Sequence, residues 1–145
     1  MPSKKLTTSK AKARAWKACS KYIRYRDSYQ GYAPCCTCGT VKPISGPGCI
    51  QAGHFIPGRN NAILYDERDI AAQCGVCNVL RQGMWVEYEQ FMLKTYGQDV
   101  IDELKRMKND VLPMSASDHL EKEAYFKEKL AELKKERKDE TVLGY

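Results

Sequence analysis

Four of the seven cysteines stand in two pairs that have the spacing of metal-binding knuckles. The first pair is Cys35-x-x-Cys38, which is followed by Gly39, and the second pair is Cys74-x-x-Cys77. Two intervening residues let both thiolates of a tight turn face one ion, and a glycine permits the positive φ of such a turn. Two knuckles complete a closed tetrahedral site, which is typical of structural zinc. The alternative is two unrelated pairs of buried or redox-active thiols.

The other three cysteines, Cys19, Cys36 and Cys49, receive no role from the sequence. Cys36 is disfavoured as a ligand because Cys36-x-Cys38 is too close for the usual knuckle. An odd number of cysteines, without an apolar secretory segment in the basic N-terminus, argues against a disulfide framework. A thiol redox protein is also disfavoured, because the knuckles are rich in glycine and no thioredoxin-like βαβ pattern is present.

Two polar residues beside the knuckles suit catalysis. His54 ends a strand-like run between the two pairs, and Asn78 directly follows the second pair, on the first turn of an expected helix. This layout resembles that of HNH, or ββα-metal, nucleases, in which a histidine acts as general base on water and an ion stabilises developing phosphate charge. The alternative for His54 is a packed or strand-capping histidine. His119, the second of two histidines, is expected on the surface of the distal helix.

A set of short stretches makes the resemblance to one family specific. The sequence resembles the phage NinG/Rap recombination endonucleases in Gln51-Ala-Gly-His-Phe-Ile-Pro, Tyr65-Asp66-Glu67, Gln73-Cys74-x-x-Cys77-Asn78 and Tyr96-Gly97. The likeness extends from about Lys10 to Leu104, and the arrangement is also similar to phage recombination endonuclease VII. The resemblance implies a metal-dependent, structure-selective DNA endonuclease that cuts Holliday junctions, D-loops or flaps.

The resemblance also implies a role for each matching residue. The four knuckle cysteines match zinc ligands, His54 matches the general base, and Asn78 matches a ligand of a catalytic Mg²⁺ or Mn²⁺. Asp69 takes the place of the middle asparagine, and its carboxylate can still hydrogen-bond the loop backbone.

One position departs from the HNH pattern. Gly53 occupies the place where many HNH enzymes carry an aspartate that binds the ion, and a glycine offers no side-chain ligand. The candidates for a replacement oxygen are Gln51, Asp66, Glu67 and Asp69. Otherwise the ion is held mostly by Asn78, water and DNA phosphate, since Mg²⁺ keeps several waters and accepts phosphate oxygens.

The net charge of +6 is concentrated at the N-terminus. Residues 1–26 carry nine basic and no acidic side chains, so the remaining 119 residues carry 15 basic and 18 acidic groups. A basic arm favours a polyanion such as nucleic acid, whereas a solvated, solubilising tail is the alternative. We expect DNA contacts from Lys10, Lys12, Arg14, Lys17, Lys21 and Arg24 in the arm, and from Arg59 and Arg81 near the proposed site.

A small number of elements must position these side chains. The sequence predicts a basic arm over residues 1–30, with an amphipathic helix whose basic face is free. It predicts a zinc-knuckle HNH-like domain over residues 31–112 and a charged helix over residues 113–145. Gly97 is expected to end a helix, and Asp118-x-x-Glu121 to cap the last one. The predicted fold class is therefore α+β and mostly helical, with a zinc-stabilised ββα-metal core, a basic N-terminal helix and a helical C-terminal extension.

Two functions stay open from the sequence: the endonuclease, and a zinc-stabilised DNA-binding module without catalysis, in which Gly53 marks a degenerate site. No apolar run is long enough for a transmembrane helix, so no membrane partner is expected and the cytoplasm of a bacterial host is the expected location. Resolving a Holliday junction takes two symmetric cuts, which favours a homodimer whose interface involves the distal helix.

Overall fold

The computed structural model describes residues 5–144, with side chains through residue 138. The chain forms two compact units: one combines Met1–Tyr22 with Met114–Tyr145, and the other is Ile23–Pro113. Helix α1 (Thr8–Arg26) begins in the first unit and ends in the second. Within the described residues, no helix combines the length and the apolar character needed to cross a membrane.

The first unit is built from α1 and the C-terminal helix α5 (Ala116–Gly144). The start of α1 is rich in Ala, Lys and Arg, which are good helix formers. Ala11, Ala15, Ala18, Cys19 and Tyr22 are buried and recur at helical spacing.

Helix α5 begins one residue after Ser115, at a capping box. The Asp118 backbone N–H donates to the Ser115 hydroxyl at 3.1 Å, and the Ser115 N–H donates to the Asp118 carboxylate at 2.9 Å. The prediction that Asp118 and Glu121 form the capping pair was therefore wrong. The cap is Ser115, whose hydroxyl accepts from the Asp118 N–H, and Asp118 is the third residue of the helix.

Aromatic and charged contacts hold the first unit together. The Tyr22 ring lies 5.9 Å from the Phe126 ring, and the ammonium of Lys129 lies 5.2 Å from the Tyr22 ring centroid. Arg14 binds both carboxylate oxygens of Glu123, at 2.8 and 3.0 Å. Helix α5 thus has a structural role within its own chain.

His119 is 1% exposed, so its predicted surface position was wrong. It shares one face of α5 with Phe126 and Leu130, which are also buried. The many charged residues on the other faces conceal this narrow stripe in the sequence. Burial lowers the pKa of His119, and the Lys12 cation lowers it further.

The second unit contains two small antiparallel sheets. Strand β1 (Tyr32–Pro34) pairs with β2 (Val41–Pro43), and β3 (Gln51–His54) pairs with β4 (Ile70–Gln73). In the second sheet Gln51 lies opposite Gln73, and His54 lies opposite Ile70. Between β3 and β4 come helix α2 (Asn61–Leu64) and a 3₁₀ turn (Glu67–Asp69).

The second cysteine pair opens a helical segment as expected, and this segment is a five-residue π-helical turn, Val76–Leu80. Helices α3 (Trp85–Thr95) and α4 (Gln98–Met107) follow. Gly97, with φ of 92°, ends α3 as predicted, and its N–H donates to the Leu93 carbonyl at 3.1 Å.

The core of the second unit is apolar and encloses β4. Its main cluster joins the segment after β3 to helices α2, α3 and α4, through Phe55, Ile56, Ile63, Ala71, Tyr88, Met92, Ile101 and Leu104. The end of α1 clamps β4, because Arg26 donates to the Ile70 carbonyl at 2.7 Å and the Ala72 N–H donates to Asp27 at 2.8 Å. The mostly helical α+β class with small sheets is confirmed.

Candidate functional site

Cys35, Cys38, Cys74 and Cys77 converge, and their sulfur atoms all lie within 4.8 Å of one another. The Sγ atoms of Cys38 and Cys74 are 3.7 Å apart. Four thiolates at about 2.3 Å from a zinc ion would be about 3.8 Å from each other in a tetrahedron. The predicted clustering is confirmed, and the donor set and spacing fit a structural metal such as zinc.

Local hydrogen bonds distinguish Cys35 from its neighbour Cys36. Burial opposes ionisation of Cys35, but hydrogen bonds from Thr37 and from backbone N–H groups lower its pKa to about 6. Burial raises the pKa of the Cys36 thiol, which packs against the apolar core. Cys36 is therefore a partly buried residue against the core, and Cys35 is the metal-ligand candidate of the pair.

His54 is held at the end of β3 by a backbone carbonyl. Its Nε2 lies 3.0 Å from the carbonyl oxygen of Leu64, at the end of α2. A carbonyl can only accept, so the Nε2 atom carries the proton and the neutral ring has its lone pair on Nδ1. Burial lowers the pKa of His54; the Leu64 carbonyl opposes this shift, and the Arg59 cation adds to it. A neutral imidazole of this kind can act as a general base.

The residue before His54 faces two amide oxygens. A β-carbon added at Gly53 would lie 2.1 Å from Oε1 of Gln73 and 3.1 Å from Oδ1 of Asn78. The Nδ2 of Asn78 donates to Oε1 of Gln51 at 2.8 Å, so the two side-chain amides are paired. Strand β4 and the π-helical turn thus bring two amide oxygens to the position where a side chain of residue 53 would begin.

Three of the four residues considered as replacement ligands, Gln51, Asp66 and Asp69, use a side-chain oxygen in another hydrogen bond, whereas the bond at Glu67 is to its backbone carbonyl. Asp66 caps the 3₁₀ turn and binds Arg68 at 2.8 Å. Gln51 accepts from Asn78, while Glu67 lies in the 3₁₀ turn, where its carbonyl accepts from Arg26. Gln73 was missed, although a glutamine inside the otherwise apolar run Ile70–Gln73 is the signal that could have identified it.

Asp69 supports the loop after His54. Its Oδ1 accepts from the Ile56 N–H at 2.9 Å, and its carbonyl accepts from the Phe55 N–H at 2.8 Å. Asp69 thus forms the loop-backbone hydrogen bond expected of it. Burial raises its pKa to about 8, and the nearby Asp66 charge adds to the shift. Both of these hydrogen bonds go to the loop backbone, which makes Asp69 a positioning residue for the segment that carries Phe55 and Ile56.

The basic residues proposed to bind DNA are not equally accessible. Lys10, Lys17 and Lys21 are exposed on α1, whereas Lys12 is half-buried. Arg24 donates to the Ile44 carbonyl at 2.6 Å and Arg14 binds Glu123, so the expectation of a free basic face was wrong for these two. They stabilise the fold because each guanidinium has an oxygen partner within its own unit.

Two arginines of the second unit are exposed near the candidate site. Arg59 lies in the loop between His54 and α2 and has a positive φ of 50°. Arg81 directly follows the π-helical turn that carries Asn78. An exposed guanidinium can bind a phosphate through two parallel hydrogen bonds.

Fold and site together define a small, mostly helical α+β protein with four clustered cysteines whose donor set and spacing fit a structural metal. A family model described as Bacteriophage Lambda NinG protein matches residues 3–136. The chain belongs to the NinG family, which confirms that part of the resemblance.

Relatives of the chain include several proteins of phages. "Protein ninG" of Escherichia phage 933W is 33% identical over 99 residues, which cover 66% of this chain and 44% of the relative. "Protein ninG" of Escherichia phage lambda is 32% identical with the same coverage. "Protein ninG" of Salmonella phage P22 is 33% identical over 95 residues, which cover 63% of this chain and 42% of the relative. The chain thus spans less than half the length of these relatives, and no solved structure matches it.

Proposed function

We propose that the protein is a metal-dependent DNA endonuclease of the HNH type that cuts branched recombination intermediates. One observation carries the proposal: Oδ1 of Asn78 lies 3.1 Å from the β-carbon position of the residue that precedes His54. A candidate general base and a candidate ion ligand are thereby joined by one strand pair and one short turn. This arrangement supports the ββα core that the HNH resemblance and the likeness to endonuclease VII imply.

The candidate ion site fits a hard divalent cation. Asn78 and Gln73 offer neutral amide oxygens, and such oxygens suit Mg²⁺ or Mn²⁺ better than softer metals. A bound ion would stabilise the negative charge that develops on the scissile phosphate and on the leaving oxygen. The four-cysteine site has no open position in a tetrahedral geometry, so its metal is structural.

His54 supplies the proton transfer. The Leu64 carbonyl holds the imidazole by its Nε2–H, so the lone pair on Nδ1 can take a proton from the attacking water. Burial keeps the ring neutral at neutral pH because it lowers the pKa. Arg59 and Arg81 bind the phosphates on either side of the cut, and exposed lysines of α1 bind the DNA backbone further away.

The experiment compares four-way, flap and linear duplex DNA of one sequence, each with Mg²⁺ or Mn²⁺ and with zinc-loaded protein. We expect cleavage of the branched substrates and a loss of about 10²-fold or more for His54→Ala, since one general base contributes about this much. His119→Gln removes the other histidine and is the matched control, for which cleavage is expected to persist.

Each alternative has its own outcome in this experiment. Binding of branched DNA without cleavage in either metal overturns the enzyme and favours the zinc-stabilised DNA-binding module. Equal cleavage by wild type and His54→Ala shows that His54 is not the general base. Cleavage of linear duplex at the same rate as the junction overturns selectivity for branched DNA.

The proposal also covers where the protein acts and in which assembly. We place it with DNA in the cytoplasm of the phage host, and as a homodimer on a junction, because two symmetric cuts need two active sites. Light scattering of the protein mixed with a four-way junction tests the assembly. Two protein chains per junction are expected, and a single chain at saturation contradicts the dimer.

A further inference from the structure

Gln73 is a fully buried polar side chain with one oxygen that lacks a partner. Its Nε2 donates to the Gly83 carbonyl at 2.8 Å and to the Thr37 hydroxyl at 3.2 Å. Its Oε1 is buried and accepts no hydrogen bond from any residue that the structure describes. A buried oxygen without a donor costs about 1–3 kcal/mol, so such a group needs a specific explanation, and an ion bound at that oxygen is one.

The direction of this oxygen is fixed by its surroundings. The Gly83 carbonyl can only accept, so the amide atom that faces it must be the nitrogen. Oε1 is thereby turned toward β3, where it lies 2.1 Å from the position that a β-carbon of Gly53 would occupy. A β-carbon at position 53 would collide with the Gln73 oxygen where it now lies, so any other residue there would force the Gln73 side chain to move.

A second amide oxygen points to the same place. Oδ1 of Asn78 lies 3.1 Å from that β-carbon position, so the two oxygens are at most about 5 Å apart. Two ligands of one Mg²⁺ at 2.0–2.1 Å are separated by about 3–4 Å. Gln51 holds the amide of Asn78, and Gly83 and Thr37 hold that of Gln73. The pair is preorganised, because neither oxygen depends on a free side chain.

We propose that Oε1 of Gln73 and Oδ1 of Asn78 together bind the divalent cation, and that Gln73 supplies the ligand that Gly53 cannot. The use of this ion in cleavage rests on the proposed function, but the binding of the ion does not. Both ligands are neutral, so the protein leaves the charge of the ion largely uncompensated. The ion therefore binds weakly to the free protein and more tightly when a DNA phosphate completes its shell.

The site is also coupled to the cysteine cluster. Thr37 accepts from Gln73 and lies 3.2 Å from the sulfur of Cys35, and Gln73 directly precedes Cys74. Removing the structural metal should release Gln73 and so weaken binding of the second ion. The zinc content of every variant is therefore measured beside its Mn²⁺ affinity.

The test measures Mn²⁺ binding to the zinc-loaded protein by electron paramagnetic resonance of free Mn²⁺, with and without a four-way junction. Gln73→Met keeps the length of the side chain but removes its oxygen, and we expect at least a tenfold loss of Mn²⁺ affinity with unchanged zinc content. Gln90→Met, on the exposed face of α3, is the matched control and should bind Mn²⁺ like the wild type. Wild-type affinity in Gln73→Met overturns the proposal, as does the absence of Mn²⁺ binding by wild type in both conditions.

A second test introduces a carboxylate at position 53. Gly53→Asp alone should lose the folded site, because its β-carbon meets Oε1 of Gln73. Gly53→Asp combined with Gln73→Ala removes that oxygen and restores the aspartate of the HNH pattern. We expect the double variant to bind Mn²⁺ at least as tightly as wild type, and affinity as low as that of Gln73→Met contradicts the assignment.

A measurement on the wild type avoids any question of folding. In an amide NMR spectrum, substoichiometric Mn²⁺ should broaden the side-chain signals of Gln73 and Asn78 first and leave that of Gln90 sharp. Broadening that spares Gln73 overturns the proposal. If Mn²⁺ binds through Gln73 but no DNA is cut, the ion site stands and the endonuclease falls. If DNA is cut but Gln73→Met binds Mn²⁺ as tightly as the wild type, the endonuclease stands and the assignment of Gln73 as an ion ligand is wrong.

Discussion

The hydroxyl of Tyr88 donates a hydrogen bond of 2.6 Å to the carbonyl oxygen of Gly53, and both residues are buried. The Tyr88 ring packs against Phe55 at 5.5 Å and against Phe91 at 6.0 Å. Helix α3 is thereby joined to β3 at the residue that precedes His54. The backbone position of the candidate site depends on this contact, since Gly53 has no side chain of its own to anchor it.

Tyr88→Phe should therefore destabilise the protein without a change in packing volume. The substitution removes one hydrogen bond to the buried Gly53 carbonyl, which costs about 0.5–1.5 kcal/mol in the free energy of unfolding. Urea unfolding of the zinc-loaded protein measures this. Tyr96→Phe removes a hydroxyl from an exposed ring just after the C-terminal end of α3 and should change stability by less than about 0.5 kcal/mol. Equal effects of the two variants would contradict the assigned role of Tyr88.

The titration of His54 should respond to Arg59. Burial lowers the pKa of His54 below its usual value of about 6.5, and the Arg59 cation lowers it further. Arg59→Gln removes that cation, so the pKa of His54 should rise, and the acidic limb of the pH–rate profile should move to higher pH with it. NMR titration of the imidazole measures the pKa directly. Arg81→Gln is the control of equal charge, and a His54 pKa that is the same in all three proteins would refute the coupling.

The raised pKa of Asp69 should make the stability of the protein depend on pH. Burial raises its pKa from about 4 in the unfolded chain to about 8, so the folded state holds a proton that the unfolded state has lost between these values. The contribution of Asp69 to the free energy of unfolding is fully present below about pH 4. It declines between about pH 4 and pH 8 by up to about 1.4 kcal/mol per pH unit, and it is lost above about pH 8.

Asp69→Asn removes this ionisation while its amide oxygen can still accept from the Ile56 N–H. The stability of the variant relative to wild type should therefore increase from pH 5 to pH 8, measured by urea unfolding at each pH. Asp99→Asn, near the exposed start of α4, is the control and should show no such trend. A constant difference between Asp69→Asn and wild type across this range would show that Asp69 ionises normally.

Cys38 gives the clearest test of the cysteine site, because it is the exposed member of the four. Its substitution removes little packing, so any large loss of stability must come from the metal. We expect about one zinc per chain in the wild type and a loss of zinc together with cooperative folding in Cys38→Ser, since structural zinc contributes directly to folding. Cys49→Ser, outside the cluster, should keep its zinc. Full zinc content in Cys38→Ser, measured by atomic absorption, would contradict the four-cysteine site.

Local spacing allowed the sequence to predict the cysteine cluster, because two residues between thiols restrict each knuckle to a tight turn. Gln73 could not be assigned in this way, since its role depends on Gly53 in a strand twenty residues earlier. His119 was placed wrongly for a related reason: its burial arises from a contact surface that the charged sequence of α5 does not reveal. Pairwise contacts between distant segments, rather than composition, decide both positions.

The contribution of α1 to DNA binding has to be tested by charge, not by deletion. Removing residues 1–26 would take away buried Ile23 and the hydrogen bonds of Arg24 and Arg26, so the second unit would lose part of its support. The exposed lysines Lys10, Lys17 and Lys21 can instead be changed to glutamine together. For each phosphate that a lysine no longer neutralises, the slope of log K against log salt should become shallower by about 0.9, so binding weakens most at low salt.

The triple change Lys94→Gln, Arg106→Gln and Lys108→Gln removes equal charge from the exposed ends of α3 and α4. If fluorescence anisotropy with a four-way junction gives both triple variants the same slope, net charge rather than α1 governs binding, and the assignment of α1 to the DNA fails.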